Sequence, residues 1–273
     1  MFKQKAKLPL SRERAVYLAQ KLRRKRLILW VQILMVALLL LLWEVLAQVG
    51  IIDSFIMSQP TRMADTFLDL ARSDLALHLA VTCGETLGGF LLGTVLGVGL
   101  AVALWWSDLL SDICEPFLVV LNALPKIALG PVFIVWVGAG VQAIIVMALA
   151  ISLVVTVLEM LNGFHETDGE LLRMAKTFGA DRRQLLVKIV LPYNRNTFFH
   201  AMKVNIGLSL VGVIAGEFLV SKAGLGYLIV YGGQVFQLDL VMTSVVILSV
   251  VAAFLYHSVV WLEKLAIKRS QRQ

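Results

Sequence analysis

Between Glu115 and Glu159 the chain carries a single charged side chain, Lys126. A stretch of that length is enough for two crossings of a bilayer, at about 20 residues each. Further apolar runs lie at 27–49, 87–106, 204–220 and 240–262. With 59% hydrophobic residues and a mean hydropathy of +0.84, the chain is an integral membrane protein. Inside lipid every backbone polar group must be bonded within the protein, so only helices and closed barrels can span. The apolar runs are continuous rather than alternating, which selects helices. The expectation is an all-α, polytopic membrane protein with about six transmembrane helices.

The spans read as follows. Residues 1–26 form a basic, helical arm ending in Lys21, Arg23, Arg24, Lys25 and Arg26. The run after it lacks a small-residue cleavage site, so it reads as a retained first helix rather than a secretory signal. The second span ends at Trp105-Trp106, an interfacial anchor, and Gly138-Ala139-Gly140 is the turn between the third and fourth. The glycine-rich segment between the last two spans, 221–239, reads as a turn plus a short interfacial or re-entrant helix. Six spans place both termini on one side. The arm, the loop 163–203 and the tail 263–273 hold 21 of the 25 Lys and Arg. By the positive-inside rule that side is cytoplasmic. The segment Trp106 to Glu115, read as a loop on the same side, carries Asp108, Asp112 and Glu115, but acidic residues weigh little in that rule. The net charge of +7 therefore reports topology rather than nucleic-acid binding.

One polar island stands out in that loop, ELLRMAKTFGADRRQLLVKIVLP from Glu170 to Pro192. Glu170 to Thr177 reads as a short helix, Phe178-Gly179-Ala180 as a turn that a glycine permits, and Asp181 as the N-cap of a second short helix. Pro192 should end or kink that helix. Two small helices at an elbow outside the membrane make a plug that another protein can grip.

Inside the membrane, Gly89, Gly93 and Gly97 recur at helical spacing after Gly84 and Gly88, and Gly212 and Gly216 do so in the fifth span. Such faces mark close helix contacts, either fixed or sliding during transport. Lys126 is the sharpest single residue. Burying its ammonium costs at least about 2.5–3.5 kcal/mol on insertion scales, so it should face protein or a watery path. Pro125 and Pro131 flank it and Asn122 lies one turn earlier, so the third span is expected to be broken and to line a solute path. An ion pair between helices, or a lysine reaching the interface, is the plainer alternative. Glu217 could pair with Lys126, cap the turn at Gly224-Leu225-Gly226, or line an outer gate. Glu85 and Glu44 are weaker candidates, reaching headgroups or water. Cys83 and Cys114 form no disulfide framework, and no Cys/His cluster has metal spacing. Neither a catalytic nor a metal residue is expected.

The spacing of the island resembles the signature loop of permease subunits of bacterial ATP-binding-cassette importers, whose pattern is Glu-Ala-Ala, three residues, Gly, nine residues, Ile, one residue, Leu-Pro. Ala175, Gly179, Ile189, Leu191 and Pro192 match in register, while Arg173-Met174 stands where Glu-Ala is usual. The resemblance covers roughly residues 75–265. Within the superfamily, LNALPKIALGPVFIVWVGAG resembles the sulfonate, taurine and nitrate subgroup, although those members usually carry a basic residue where Glu85 stands. Permeases for pyrimidine-type vitamin precursors and riboflavin share much of the pattern.

The resemblance implies a permease core over 27–265 with a cytoplasmic coupling loop at 163–199, a basic arm at 1–26 and a basic tail at 266–273. It implies a bacterial inner-membrane location, a second permease copy, two cytoplasmic ATP-binding subunits and an extracytoplasmic solute-binding protein. Glu170, Leu172, Arg173, Ala175, Gly179, Ala180, Ile189, Leu191 and Pro192 would then couple to the ATPase. Asn122, Pro125, Lys126, Pro131 and Glu217 would line the path, and the solute would be a small anion. The chain has no GxxxxGK[ST] phosphate loop, so ATP and Mg would be bound by the partner. A secondary transporter would show repeats or ionisable relays, and a membrane enzyme a cluster of nucleophile, base or metal ligands. Neither signature is present in the sequence.

Overall fold

The computed structural model describes residues 12–270, so positions 1–11 of the expected arm and 271–273 of the tail lie outside the described residues. Among the described residues every regular element is helical. The chain divides into two compact units at Ala64/Asp65.

In the first unit, α1 (Arg12–Gln48) runs the expected arm and first span together as one helix. Asp53 caps the short α2 (Ser54–Met57) by accepting from the Phe55 N–H at 2.8 Å. Helix α3 (Pro60–Arg72) begins in this unit. Glu44, expected to reach headgroups or water, instead accepts from the Thr61 N–H at 3.1 Å and the Thr61 hydroxyl at 2.9 Å. It thereby satisfies a donor at the start of α3 that has no partner within its own helix.

The second unit holds α4 (Leu75–Trp106), α5 (Asp108–Ala123), a 3₁₀ turn (Lys126–Leu129), α6 (Gly130–Val137), α7 (Val141–His165), α11 (Arg195–Val220), α12 (Leu225–Gln234) and α13 (Leu238–Ser270). Between α7 and α11 lie α8 (Gly169–Thr177), α9 (Arg182–Leu185), a π-helical turn (Leu186–Val190) and α10 (Leu191–Tyr193). Among the described residues, five helices are long and apolar enough to cross a membrane: α1, α4, α7, α11 and α13. The pair α5 and 126–137, bent by 85°, makes a sixth if taken as one broken span.

Helices α4, α7 and α11 form the tightest part of the second unit. A Cβ added to Gly89, Gly93 or Gly97 of α4 would stand 2.7 Å from Ala148 Cβ, 2.8 Å from Ser152 Oγ and 2.7 Å from Thr156 Cγ2, all on α7. On α11, a Cβ at Gly212 would lie 2.5 Å from Ala148 Cα and one at Gly216 2.9 Å from Ile144 Cα. Lipid tails are as apolar as the helices, so contact area between backbones has to hold such spans together. Glycine opposite alanine, serine and threonine provides it. Asn205, fully buried between these helices, donates to Thr94 Oγ1 at 2.8 Å and accepts from Ser209 at 3.1 Å. Lys203 and Glu263 pair at 2.9 Å between α11 and α13.

The third span departs from expectation at its start. The segment from Trp106 to Glu115, read as a loop, is helical except at Ser107, whose Oγ accepts from the Leu110 N–H and caps α5. The break falls at Leu124-Pro125, where Leu124 takes extended angles (φ −64°, ψ 138°), as the residue before a proline prefers. Pro131 breaks nothing: it lies in the first turn of α6, where a backbone N–H has no partner to lose.

Candidate functional site

The island from Glu170 to Pro192 has a fastened root and an exposed tip. Asp168 caps α8, accepting from the Glu170 N–H at 2.8 Å. Helix α8 closes with paired bonds from the Gly179 N–H to the Lys176 carbonyl (2.9 Å) and from the Ala180 N–H to the Ala175 carbonyl (3.0 Å), the Schellman arrangement. That closure requires a left-handed residue, and Gly179 has φ +81° with open space around it. Conformation rather than crowding therefore selects glycine there. Asp181 then caps α9 in a capping box with Gln184.

Pro192 does not end the second helix. The turn widens to π geometry over Leu186–Val190 immediately before it, so the chain stays helical although Pro192 offers no N–H to Lys188. Helix α11 follows after Asn194. Asn194, which sequence reasoning passed over, donates to Thr167 Oγ1 at 2.8 Å and closes the base of the loop. Leu186 and Val190 are buried in one apolar cluster with Ala101, Leu104, Met160 and Phe164, against which Leu172, Cys114 and Leu118 pack. The other face is open: Phe178 is 84% exposed and Met174 53%, and Glu170, Arg173 and Gly179 are exposed beside them. Leu172, Ala175, Ala180 and Ile189 are half-buried, while Leu191 and Pro192 are exposed. The matched positions thus divide between tip and root.

Of the expected path residues, Pro125 and Lys126 line a cavity of about 250 Å³ with Leu124, Ile127, Ile151 and Val211. Pro131 lines an adjoining one of about 480 Å³ that shares Ile127 and Val211. Both lie between the broken span and α11. Lys126 Nζ donates to the Asn122 carbonyl at 3.0 Å, a group left free where α5 stops. Asn122 therefore contributes its backbone, and its side chain is exposed.

Glu217 lines neither cavity and does not pair with Lys126. It is 1% exposed and accepts from Thr82 Oγ1 at 2.6 Å and the Gly226 N–H at 2.6 Å. Thr82 in turn accepts from the Leu225 N–H at 2.8 Å, and His78 Nδ1 from the Gly224 N–H at 2.9 Å. Three consecutive N–H groups at the start of α12 are thus satisfied by side chains of α4 and α11. A Cβ at Gly224 or Gly226 would run into the Glu217 carboxyl, which accounts for the Gly-Leu-Gly turn. His78 and Thr82 carried no sequence signal, because their partners lie 135 to 146 positions away. Glu85, also read as an outward-reaching group, is buried against Glu217 with Oε2 lacking a partner among the described residues.

Long apolar helices, one of them a broken pair, and one fastened, exposed polar loop make this a multi-pass membrane protein. The chain belongs to the family of binding-protein-dependent transport system inner membrane components, whose model matches residues 93–272; it is a permease subunit of an ABC importer. It is 30% identical over 230 residues to an ABC transporter permease protein of Haemophilus influenzae, covering 84% of this chain and 94% of that one. It is 27% identical to an aliphatic sulfonates transport permease protein of Bacillus subtilis, over 98% of both chains. A formylaminopyrimidine transport permease protein of Halalkalibacterium halodurans is 26% identical over 70% of this chain and 76% of its own.

Proposed function

We propose that this permease carries a small anionic solute, of the aliphatic sulfonate, taurine or nitrate kind, along the groove between the broken span and α11. On this reading Lys126 draws the anionic group, and Pro125 holds the bend that opens the groove. The termini and the loop 166–194 face the cytoplasm. The exposed tip of the loop (Glu170, Arg173, Gly179) docks on a separate ATPase that binds ATP and Mg, and two such ATPases serve two permease copies. A solute-binding protein delivers the solute from the other face. ATP favours one global state of the ATPase pair, and the docked loops pass that bias to the helices. Hydrolysis releases it, and the solute undergoes no covalent change.

The observation that carries the coupling half is the division of the loop into an open tip and a root buried among α4, α5 and α7 residues. Its test is Gly179→Val in the assembled transporter. Valine is strained at φ +81°, so binding-protein-stimulated ATP hydrolysis should fall at least about tenfold while the protein remains in the membrane. Undiminished stimulation would remove the tip from the coupling surface. The formylaminopyrimidine relative supports a second reading of the solute, a pyrimidine-type vitamin precursor. Direct binding of taurine, an alkanesulfonate and a formylaminopyrimidine to the cognate binding protein separates the two.

A further inference from the structure

Arg182, outside every matched position of the signature, is where the loop meets the broken span. It opens α9, directly after the Asp181 cap. Its guanidinium donates through Nη1 to the carbonyl of Trp106, the last residue of α4, and through Nη2 to Asp108 Oδ2 at 2.9 Å, in the first turn of α5. One planar cation therefore bridges both sides of the Ser107 corner. Each attachment suits it: a helix C-terminus presents unsatisfied carbonyls and a negative dipole end, and the guanidinium fork presents several donors at once. The apolar cluster that buries Leu186 and Val190 also takes Cys114 and Leu118 of α5. The root of the loop thus holds α5 by packing, and Arg182 holds its first turn by charge.

Helix α5 has the form of a lever. Its 16 residues span about 24 Å. Arg182 grips one end, and the other ends at the 85° break beside Lys126. We infer that Arg182 is a positioning residue that transmits displacement of the signature loop through the Trp106–Asp108 corner and α5 to the broken span. This rests on the reading of residues 170–192 as the ATPase contact. Arg182 and Asp108 are 46% and 84% exposed in their side chains, so the contact contributes little to stability. Its value lies in fixing where α5 starts relative to the loop.

The test uses the complete transporter, permease with its ATPase and binding protein, in lipid. With Cys83 and Cys114 replaced by alanine, spin labels at Val119 on α5 and Val141 at the start of α7 report the distance between them with and without ATP. Both sites are exposed. The ATP-dependent shift seen with Arg182 present should shrink in Arg182→Ala, with binding-protein-stimulated ATP turnover falling about fivefold, the size of a coupling-pathway effect. Arg182→Lys, which keeps a cation and donors, should retain most of the shift, and Asp108→Asn should fall between. A full ATP-dependent shift in Arg182→Ala overturns the inference. If Gly179→Val loses stimulation in the same preparation while Arg182→Ala does not, the loop couples through other contacts and only Arg182 is discharged. If neither variant loses it, the reading of the loop as the ATPase contact falls as well.

Discussion

The α4–α7–α11 core and the broken span from Asp108 to Val137 are both apolar, yet they are built on opposite principles. In the core, glycines face alanine, serine and threonine so closely that an added methyl would overlap its neighbour, and buried hydroxyls and Asn205 complete their bonds inside it. In the broken span most large side chains point outward, Val135 at 83% exposure and Trp136 at 74%, and the helix is interrupted by an 85° bend. The first arrangement has one way to pack; the second leaves room for another. A transporter that alternates between states needs both, a part that keeps its packing and a part with room to move.

The largest expected effect is in the core. Gly212→Leu places a side chain against the backbone of α7, which cannot rotate away, and should destabilise by about 3 kcal/mol or more. Recovery of folded protein from detergent measures this, with Gly99→Leu, where nothing lies within 4 Å, as the tolerated counterpart. A normally recovered Gly212→Leu would dissolve the contrast between the two regions. Next comes Glu217→Ala, which strands the Gly226 N–H and the Thr82 hydroxyl. About 2–4 kcal/mol should be lost, seen as lowered thermal stability, with Glu217→Gln losing less because it still accepts one bond.

Lys126→Met probes the broken span and separates function from stability. Uptake should fall about tenfold, the loss of one hydrogen bond from a charged group, with no change in melting. Uptake at the original rate would take Lys126 out of the path. The smallest effect belongs to Pro131→Ala, within about 0.5 kcal/mol of the parent, because a first-turn proline has no helical bond to restore. A marked loss of stability there would mean that Pro131 shapes the bend after all.

Much of this was legible in one dimension. Continuous apolar runs located the spans, and the Gly179 turn followed by Asp181 foretold the two loop helices, because caps and left-handed turns are local chemistry. The start of the third span was misread because three acidic residues looked like a loop. Asp108 in fact suits a helix N-terminus, and Ser107 was the cap that should have announced it. Of the two outcomes expected at Pro192, an end or a kink, the end did not occur, since a widened turn can absorb a proline without leaving the helix.

What the sequence by itself determined is whatever depends on neighbours along the chain: helical class, number of spans, the fastening of each helix end, and a signature spacing. Its recurring glycines also foretold close helix contacts, though not which helices would meet. Tertiary structure alone decided the partners. Of the three roles the sequence left open for Glu217 it selected the cap of the Gly224-Leu225-Gly226 turn, added Thr82 and His78 beside it, and brought Arg182 onto Trp106 and Asp108. These pairs are separated by up to 146 positions. No periodicity carries such information: it arises only when backbones approach closely enough for one helix to supply the hydrogen bonds that another lacks.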